Sequence, residues 1–465
     1  MTELADRRKS CNLALVETLF RIFAINSSHK IGPVFRKSGE PLNELVDGKR
    51  RGRQWLPDGH FVPTFAHGFP SVRPPAGGER NSQLGEDPQE AMTMHPLLRQ
   101  KERIYPRDHV IGLLDRLTEN LINIRDETGE FLLRLEDGRV IDTKGWAGWE
   151  WTHGIGLYGM YKVWELTGDR KFADIITDWF AARLREGTPS RNINTVAPFL
   201  TLAYLYERTG NRSYLPYLDV WGEWVMNGLP RTEEGGFQHI VYNSVNNQQI
   251  WDDTLMMSVL PLAKIGLLLG RPAYVDEAKR QFLLHIKYLV DRKTGLWFHG
   301  WTFEGRHNFA NALWARGNSW ITIAIPEFLE LTDLPETDPV RRMLIDTLAA
   351  QVGALARCQA PSGLWRTILD DETSYEEASA SAGFAYGILK GVRRGYLPAE
   401  FEAVGVRGAQ AVCQHISPAG ELTQVSFGTP VFMSVDDYKK IPLTSMPYGQ
   451  AMALLALGEL LYQYI

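Results

Sequence analysis

Two adjacent acids, Asp252 and Asp253, head an otherwise apolar run, QQIWDDTLMMSVLPL. Neighbouring helical residues diverge by about 100°, so only one of the two can face inward while the other caps or packs. A carboxyl in a partly dry pocket gains proton affinity from desolvation and stays available as a proton donor near neutral pH. Downstream, WFHGWTFEGRHNFANALWARGNSW combines His299, Trp301, Trp314, Arg316, Asn318 and Trp320. A guanidinium between two tryptophans suits a ligand carrying a carboxylate, because it can bind bidentately and stack at the same time. A plain salt bridge is the competing expectation for Arg316. His239, in GGFQHIVYN, can reach the same rim, although an exposed surface histidine is the plainer expectation.

Two further segments carry polar and aromatic residues at a helix start. GWAGWEWTHGIGLYG (145–159) offers Trp149 and His153 to a sugar, with other tryptophans of the run left to the core. GTPSRNINTVAP (187–198) has Asn192 or Thr195 as a helix cap, and Asn194 directed at a ligand. EEASASAGFAYG, with Glu377, and PLTSMPYGQ read as mainly architectural. The histidines are not at HxxxH or HExxH spacing, no Gly-rich phosphate loop follows a strand, and no GxSxG elbow is present. No metal and no organic cofactor is expected.

These segments need a frame to bring them together. From residue 106 onward, twelve helical stretches alternate between two kinds. One is apolar nearly all round and therefore buried; the other has one charged face and lies outside. Short junctions recur between them, TGDRKF, TGNRSY and LGRPAY, in which Gly closes one helix and the next begins. A repeated helix–turn–helix unit predicts a helical array. The last helix, YGQAMALLALGELLYQYI, is too apolar to cap an open solenoid, so an all-α, closed (α/α)6 barrel of six hairpins is expected over 106–465. Its longer linkers should gather at one rim, where function usually sits. Residues 1–105 hold one candidate amphipathic helix and then a Pro- and Gly-broken stretch. They are expected to form an irregular extension lying on the barrel or on a neighbouring subunit, which leaves a homo-oligomer open.

Composition narrows the class. Of 465 residues, 44% are hydrophobic and 23% charged, which excludes a disordered chain and a membrane bundle. The net charge of −5 argues against a nucleic-acid partner. Three scattered cysteines, Cys11, Cys358 and Cys413, form neither a disulfide framework nor a zinc motif. No apolar stretch approaches the roughly 18 residues of a spanning helix, and the N-terminus lacks signal-peptide character, so no membrane partner and a cytoplasmic location are expected. The 14 tryptophans, many beside polar residues, suit a sugar-binding surface.

The ordered set WDDTLMM, HGW, WARGNSW and SASA resembles the unsaturated glucuronyl and rhamnogalacturonyl hydrolases of glycoside hydrolase families 88 and 105, closer to 105. The resemblance spans about 106–465. It implies an (α/α)6 barrel and a substrate made by polysaccharide lyases, an oligosaccharide ending in a 4,5-unsaturated uronic acid. It also implies hydration of the C4=C5 vinyl ether by one aspartate acting first as acid and then as base. In the family's W-x-D motif that aspartate matches Asp253, with Trp251 two residues before it and Asp252 as the variable neighbour. The pocket histidine matches His299, and the arginine matches Arg316, between wall residues matching Trp314 and Trp320. The family's second aspartate has no counterpart: RNINTVAP holds no acid, and Asn194 is the stand-in, with Asn192 and Thr195 as alternatives. Burial by Trp251, Trp314 and Trp320 alone is then expected to sustain the proton affinity of Asp253. The alternatives are an inverting glycosidase with Glu150 or Glu377 as second acid, an epimerase using His153 and His299, or a non-enzymatic binding toroid.

Overall fold

The computed structural model describes residues 105–464. The expected irregular extension over 1–105 thus lies almost wholly outside the described residues. Twelve long helices are present among them, with two short ones, Ile193–Val196 (α4) and Val435–Lys439 (α13). Six are buried on nearly every side: α2 (Trp151–Thr167), α5 (Pro198–Thr209), α7 (Leu260–Leu268), α9 (Ala315–Thr332), α11 (Ala378–Arg393) and α14 (Pro447–Leu460). In α14 every residue from Pro447 to Leu460 is buried. The other six bury one stripe only: α1 (Arg107–Asn123), α3 (Arg170–Glu186), α6 (Leu215–Glu223), α8 (Pro272–Leu289), α10 (Pro339–Cys358) and α12 (Glu402–Gln414).

The inner helices pack in the order α2, α5, α7, α9, α11, α14, and α14 returns to pack on α2. The ring is closed, as the apolar last helix predicts. Each outer helix pairs with an inner one, and α1 pairs with α14, so the first and last long helices form one hairpin. The junctions are built as their residues dictate. Gly168 and Gly210 adopt φ of 71° and 68°, the left-handed turn that ends α2 and α5, and Asp169 caps α3 by accepting from the Lys171 amide.

Buried polar groups pair between the inner helices. Glu327 on α9 accepts from Tyr158 (2.5 Å), Tyr386 and Lys390. The lysine charge offsets the cost of burial and holds the Glu327 carboxyl low, at about 2. One end of the barrel carries the linkers. These form three antiparallel two-stranded ribbons that helical periodicity does not announce: β1 (Leu132–Arg134) with β2 (Val140–Asp142), β3 (Gln249–Trp251) with β4 (Gly300–Thr302), and β5 (Trp365–Arg366) with β6 (Glu376–Glu377). Among the described residues no helix is long and apolar enough to cross a membrane.

Candidate active site

The β3–β4 ribbon builds the centre of the site. Its register sets Trp251 opposite Gly300, and the Asp252 amide donates to the His299 carbonyl at 3.1 Å. The chain then turns into a π-helical turn, Leu255–Val259, before α7. Such a turn adds one residue to the helix and re-aims its first side chains, as often happens at functional sites. Asp252 ends fully buried, while the Asp253 side chain keeps 19% of its surface open and lines a cavity of about 350 Å³. That volume fits a small sugar unit.

His239 is buried, not a surface residue. Its ring stacks on Trp251 with centroids 4.3 Å apart, Nδ1 shares a hydrogen bond with Thr254 Oγ1 at 2.8 Å, and it lines the cavity. His299 lies behind the wall, between Trp251 and Trp314. Its donor pattern follows from its neighbours. The Phe432 amide donates to the Tyr438 hydroxyl oxygen (3.3 Å), whose own hydrogen goes to His299 Nδ1 (2.9 Å). The remaining Nε2–H then faces Asp253 Oδ2 at 3.5 Å.

Burial alone would raise the Asp253 carboxyl; the His299 ring beside it outweighs burial and holds it below the ordinary aspartate range. Burial first, and the adjacent Asp253 second, push Asp252 far above that range. Burial lowers His239 to about 3 and also lowers His299, so both rings are neutral at neutral pH and act as hydrogen-bonding groups. The expectation that burial alone governs Asp253 is therefore corrected, because the His299 ring facing it outweighs burial.

Arg316 opens α9 and lines the cavity, with its guanidinium between Trp314 and Tyr448 at 4.9 and 4.8 Å from the ring centres. It is not a free bidentate clamp. Nη1 donates to the Ser426 carbonyl and hydroxyl (both 2.8 Å), and Nη2 donates to the Phe427 carbonyl (2.9 Å) and Thr429 Oγ1 (3.1 Å). These bonds tie down the loop that roofs the cavity. The positive charge remains at the wall, with Glu377 at 3.8 Å partly balancing it. Glu377 itself caps α11 and is away from the cavity.

Besides His299, which does not line the cavity, four expected sugar contacts are displaced. Trp149 donates its indole N–H to the Thr195 carbonyl (3.0 Å) and packs on Trp179 and Phe199, so it belongs to the core. His153 completes the cap of α2. Its Nδ1 accepts from the Glu150 amide (3.1 Å) and its Nε2 bonds the Gly145 carbonyl (2.8 Å), which removes it as an epimerase acid or base. Trp301 packs on Tyr288 and Phe303, away from the cavity. Trp320 is fully buried one layer back, edge-on to Trp151 at 5.6 Å. It supports the wall without forming it.

The wall instead includes Glu150, Trp151, Thr152, Tyr242 and Tyr448. Trp151 stacks on Tyr448 at 4.8 Å, joining the first and last inner helices. The available signal was position: the first one or two residues of an inner helix face the mouth, which selects Trp151 over Trp149 and makes PLTSMPYGQ more than architecture. The RNINT segment resolves into separate tasks. Asn192 accepts from the Asn194 and Thr195 amides (2.9 and 3.1 Å), Thr195 Oγ1 accepts from the Asn192 amide (2.9 Å), and Asn194 lines the cavity.

Asp252, Asp253 and His299 bring three ligand-type atoms within 4.8 Å of one another, the one such group among the described residues. Two adjacent carboxyls and a ring N–H are equally what proton sharing requires. Exhaustive chelation is expected to leave activity unchanged. A chelator-sensitive activity restored by an added divalent ion would assign the cluster to a metal instead.

Comparison with known proteins places this geometry. Residues 123–464 match the model described as Glycosyl Hydrolase Family 88. The chain is 33% identical over 316 residues to "Unsaturated rhamnogalacturonyl hydrolase YesR" of Bacillus subtilis, covering 67% of this chain and 90% of the relative. A Salmonella enterica structure described as a possible member of family GH105 is 62% identical, with a TM-score of 0.78, over 80% of this chain and 98% of that one. A Klebsiella pneumoniae structure with the same description is 59% identical, with a TM-score of 0.78, over 83% and 100%. The chain belongs to the glycoside hydrolases of the family 88 and 105 group, on the family 105 side.

Proposed function

We propose that this hydrolase releases a 4,5-unsaturated uronic acid from the non-reducing end of lyase-generated oligosaccharides of the pectin or rhamnogalacturonan type. The observation that carries the reading is Asp253: a partly open carboxyl on an aromatic cavity that also holds the Arg316 charge. The relative YesR, by its name an unsaturated rhamnogalacturonyl hydrolase, supports the substrate class.

The geometry divides the labour. Trp151, Trp251, Trp314 and Tyr448 give flat apolar walls for a sugar ring, and Arg316 gives the positive field for its carboxylate. Asn194 offers both donors and an acceptor to hydroxyls. Asp253 delivers a proton to C4, and the π electrons of the double bond form the new C–H bond. The cation left at C5 and the ring oxygen accepts water, whose proton returns to Asp253. The resulting hemiketal opens, which leaves a hemiacetal-type C1 that sheds the rest of the chain. His299 faces the carboxyl from behind the wall at 3.5 Å.

Loss of the ultraviolet absorbance of the conjugated double bond tests this directly. Unsaturated galacturonyl-rhamnose should be bleached, and in D2O the product should carry one deuterium at C4. Glu150 favours a second reading, an inverting glycosidase. It lines the same cavity, and burial pushes its carboxyl up to about 8, a proton donor's range. Release of a saturated glycoside without bleaching would select that reading and overturn the first.

A further inference from the structure

Asp252 is the least ordinary side chain near the site. It has no exposed surface, and neither of its carboxyl oxygens has a hydrogen-bond partner. Its backbone is held by the His299 carbonyl, and its carboxyl presses on the first turn of α9, where a methyl added at Gly317 would sit 2.3 Å from Oδ2. An ionised carboxylate in such a place, without a donor, would lose its hydration for nothing. The group is therefore a neutral acid with one O–H to place. Asp253 Oδ2 and His299 Nε2 are likewise buried without a hydrogen-bond partner, and Asp252, Asp253 and His299 each turn an atom into the same 4.8 Å space.

We propose that Asp252 and Asp253 share one proton, and that Asp252 is the positioning residue that keeps Asp253 supplied with the proton it delivers to C4. This rests on the hydrolase reading above. Asp253 faces a difficulty on its own, because the His299 ring facing it favours its ionised form, which has nothing to donate. A second, fully buried carboxyl beside it changes the balance: two adjacent carboxyls in so dry a site do not both ionise, so the pair retains one proton through neutral pH. During turnover the shared proton passes to C4 by way of Asp253, the proton of the added water returns to Asp253, and the pair ends as it began. The other titratable and charged groups around the pair are His299 at the ribbon edge, His239 in the preceding linker with His285 of α8 behind it, Arg316 on α9, and Tyr438 on α13. The histidines are neutral by burial, so the second carboxyl is the group that changes charge with the first.

The test uses the full chain with Asp252→Asn and Asp252→Leu, the latter of similar shape. Two readouts are taken: the pH profile of kcat/KM on an unsaturated uronyl disaccharide, and infrared spectra at neutral pH. In both variants the alkaline limb should move toward acid by about one pH unit or more, with about tenfold lost activity at neutral pH regained on acidification. KM should change little. Burial keeps Glu150 protonated and gives every form one C=O band; the wild-type-minus-variant difference should show a further protonated-carboxyl C=O band that both variants lack. An unmoved limb, a loss equal at every pH, or persistence of that band would overturn the shared proton. If the wild type bleaches no unsaturated substrate, the hydrolase reading fails, and the infrared band alone decides whether the proton is shared.

Discussion

Asp253→Asn is expected to leave the toroid intact and to lower kcat by about three or more orders of magnitude, because one group carries both proton transfers. The amide can keep the contact with His299 and fill the same space, so binding should survive. The comparison with Asp252→Asn is the sharper part. Asp253 opens on the cavity and Asp252 does not. The Asp252 variant should therefore retain much more activity, and it should recover when the pH is lowered, whereas the Asp253 variant should not recover at any pH. Steady-state assays from acid to neutral pH, with circular dichroism to check the fold, decide it. If the Asp252 variant proves the deader of the two, the roles of the acids are exchanged.

Arg316→Ala is expected to cost about 2–3 kcal/mol in kcat/KM, chiefly through KM. Two losses combine: the positive charge at the aromatic wall, and the four hydrogen bonds that hold Ser426, Phe427 and Thr429 over the cavity. Arg316→Lys separates them. A lysine keeps the charge but lacks the planar fork that engages three residues of the loop at once. It should therefore recover only part of the affinity. Full recovery by lysine would mean that charge alone matters and that the loop needs no anchor. A neutral sugar analogue, which has no carboxylate to feel the charge, should bind poorly to wild type and variant alike.

The frame was legible because it depends on burial. Helices such as α14 are apolar on every face, and no arrangement except an inner ring gives them that much cover. Asp253, Trp251, Trp314, Arg316 and Asn194 were legible because they stand where inner helices start. The choice between Trp149 and Trp151 was not, since it turns on which residue begins α2. Glu150 and His153 settle that by forming a reciprocal cap, and this sends Trp149 toward α3 and Trp151 toward the mouth. Trp301 was misplaced because β4 is three residues long and its side chains alternate: Gly300 stands opposite Trp251 while Trp301 packs on Tyr288. The approach of His299 to the two acids was hidden for a related reason. Only the β3–β4 ribbon, too short to leave a periodic trace, folds His299 and the two acids into one volume.

The hairpin of α1 with α14 has a consequence for how this chain matures. Until the last long helix leaves the ribosome, the growing chain is an open horseshoe with five inner helices and an exposed apolar edge on each flank. Trp151 is synthesised nearly three hundred residues before Tyr448, yet the two rings stack to make one wall of the cavity. Arg316 likewise waits for Ser426 through Thr429 before its donors are satisfied. Acquisition of activity is thus a late, long-range event, slow by the entropy of closing so large a loop. A nascent chain stalled before α14 should be an inactive client for chaperones, holding most of the helices of the finished enzyme but not a closed site.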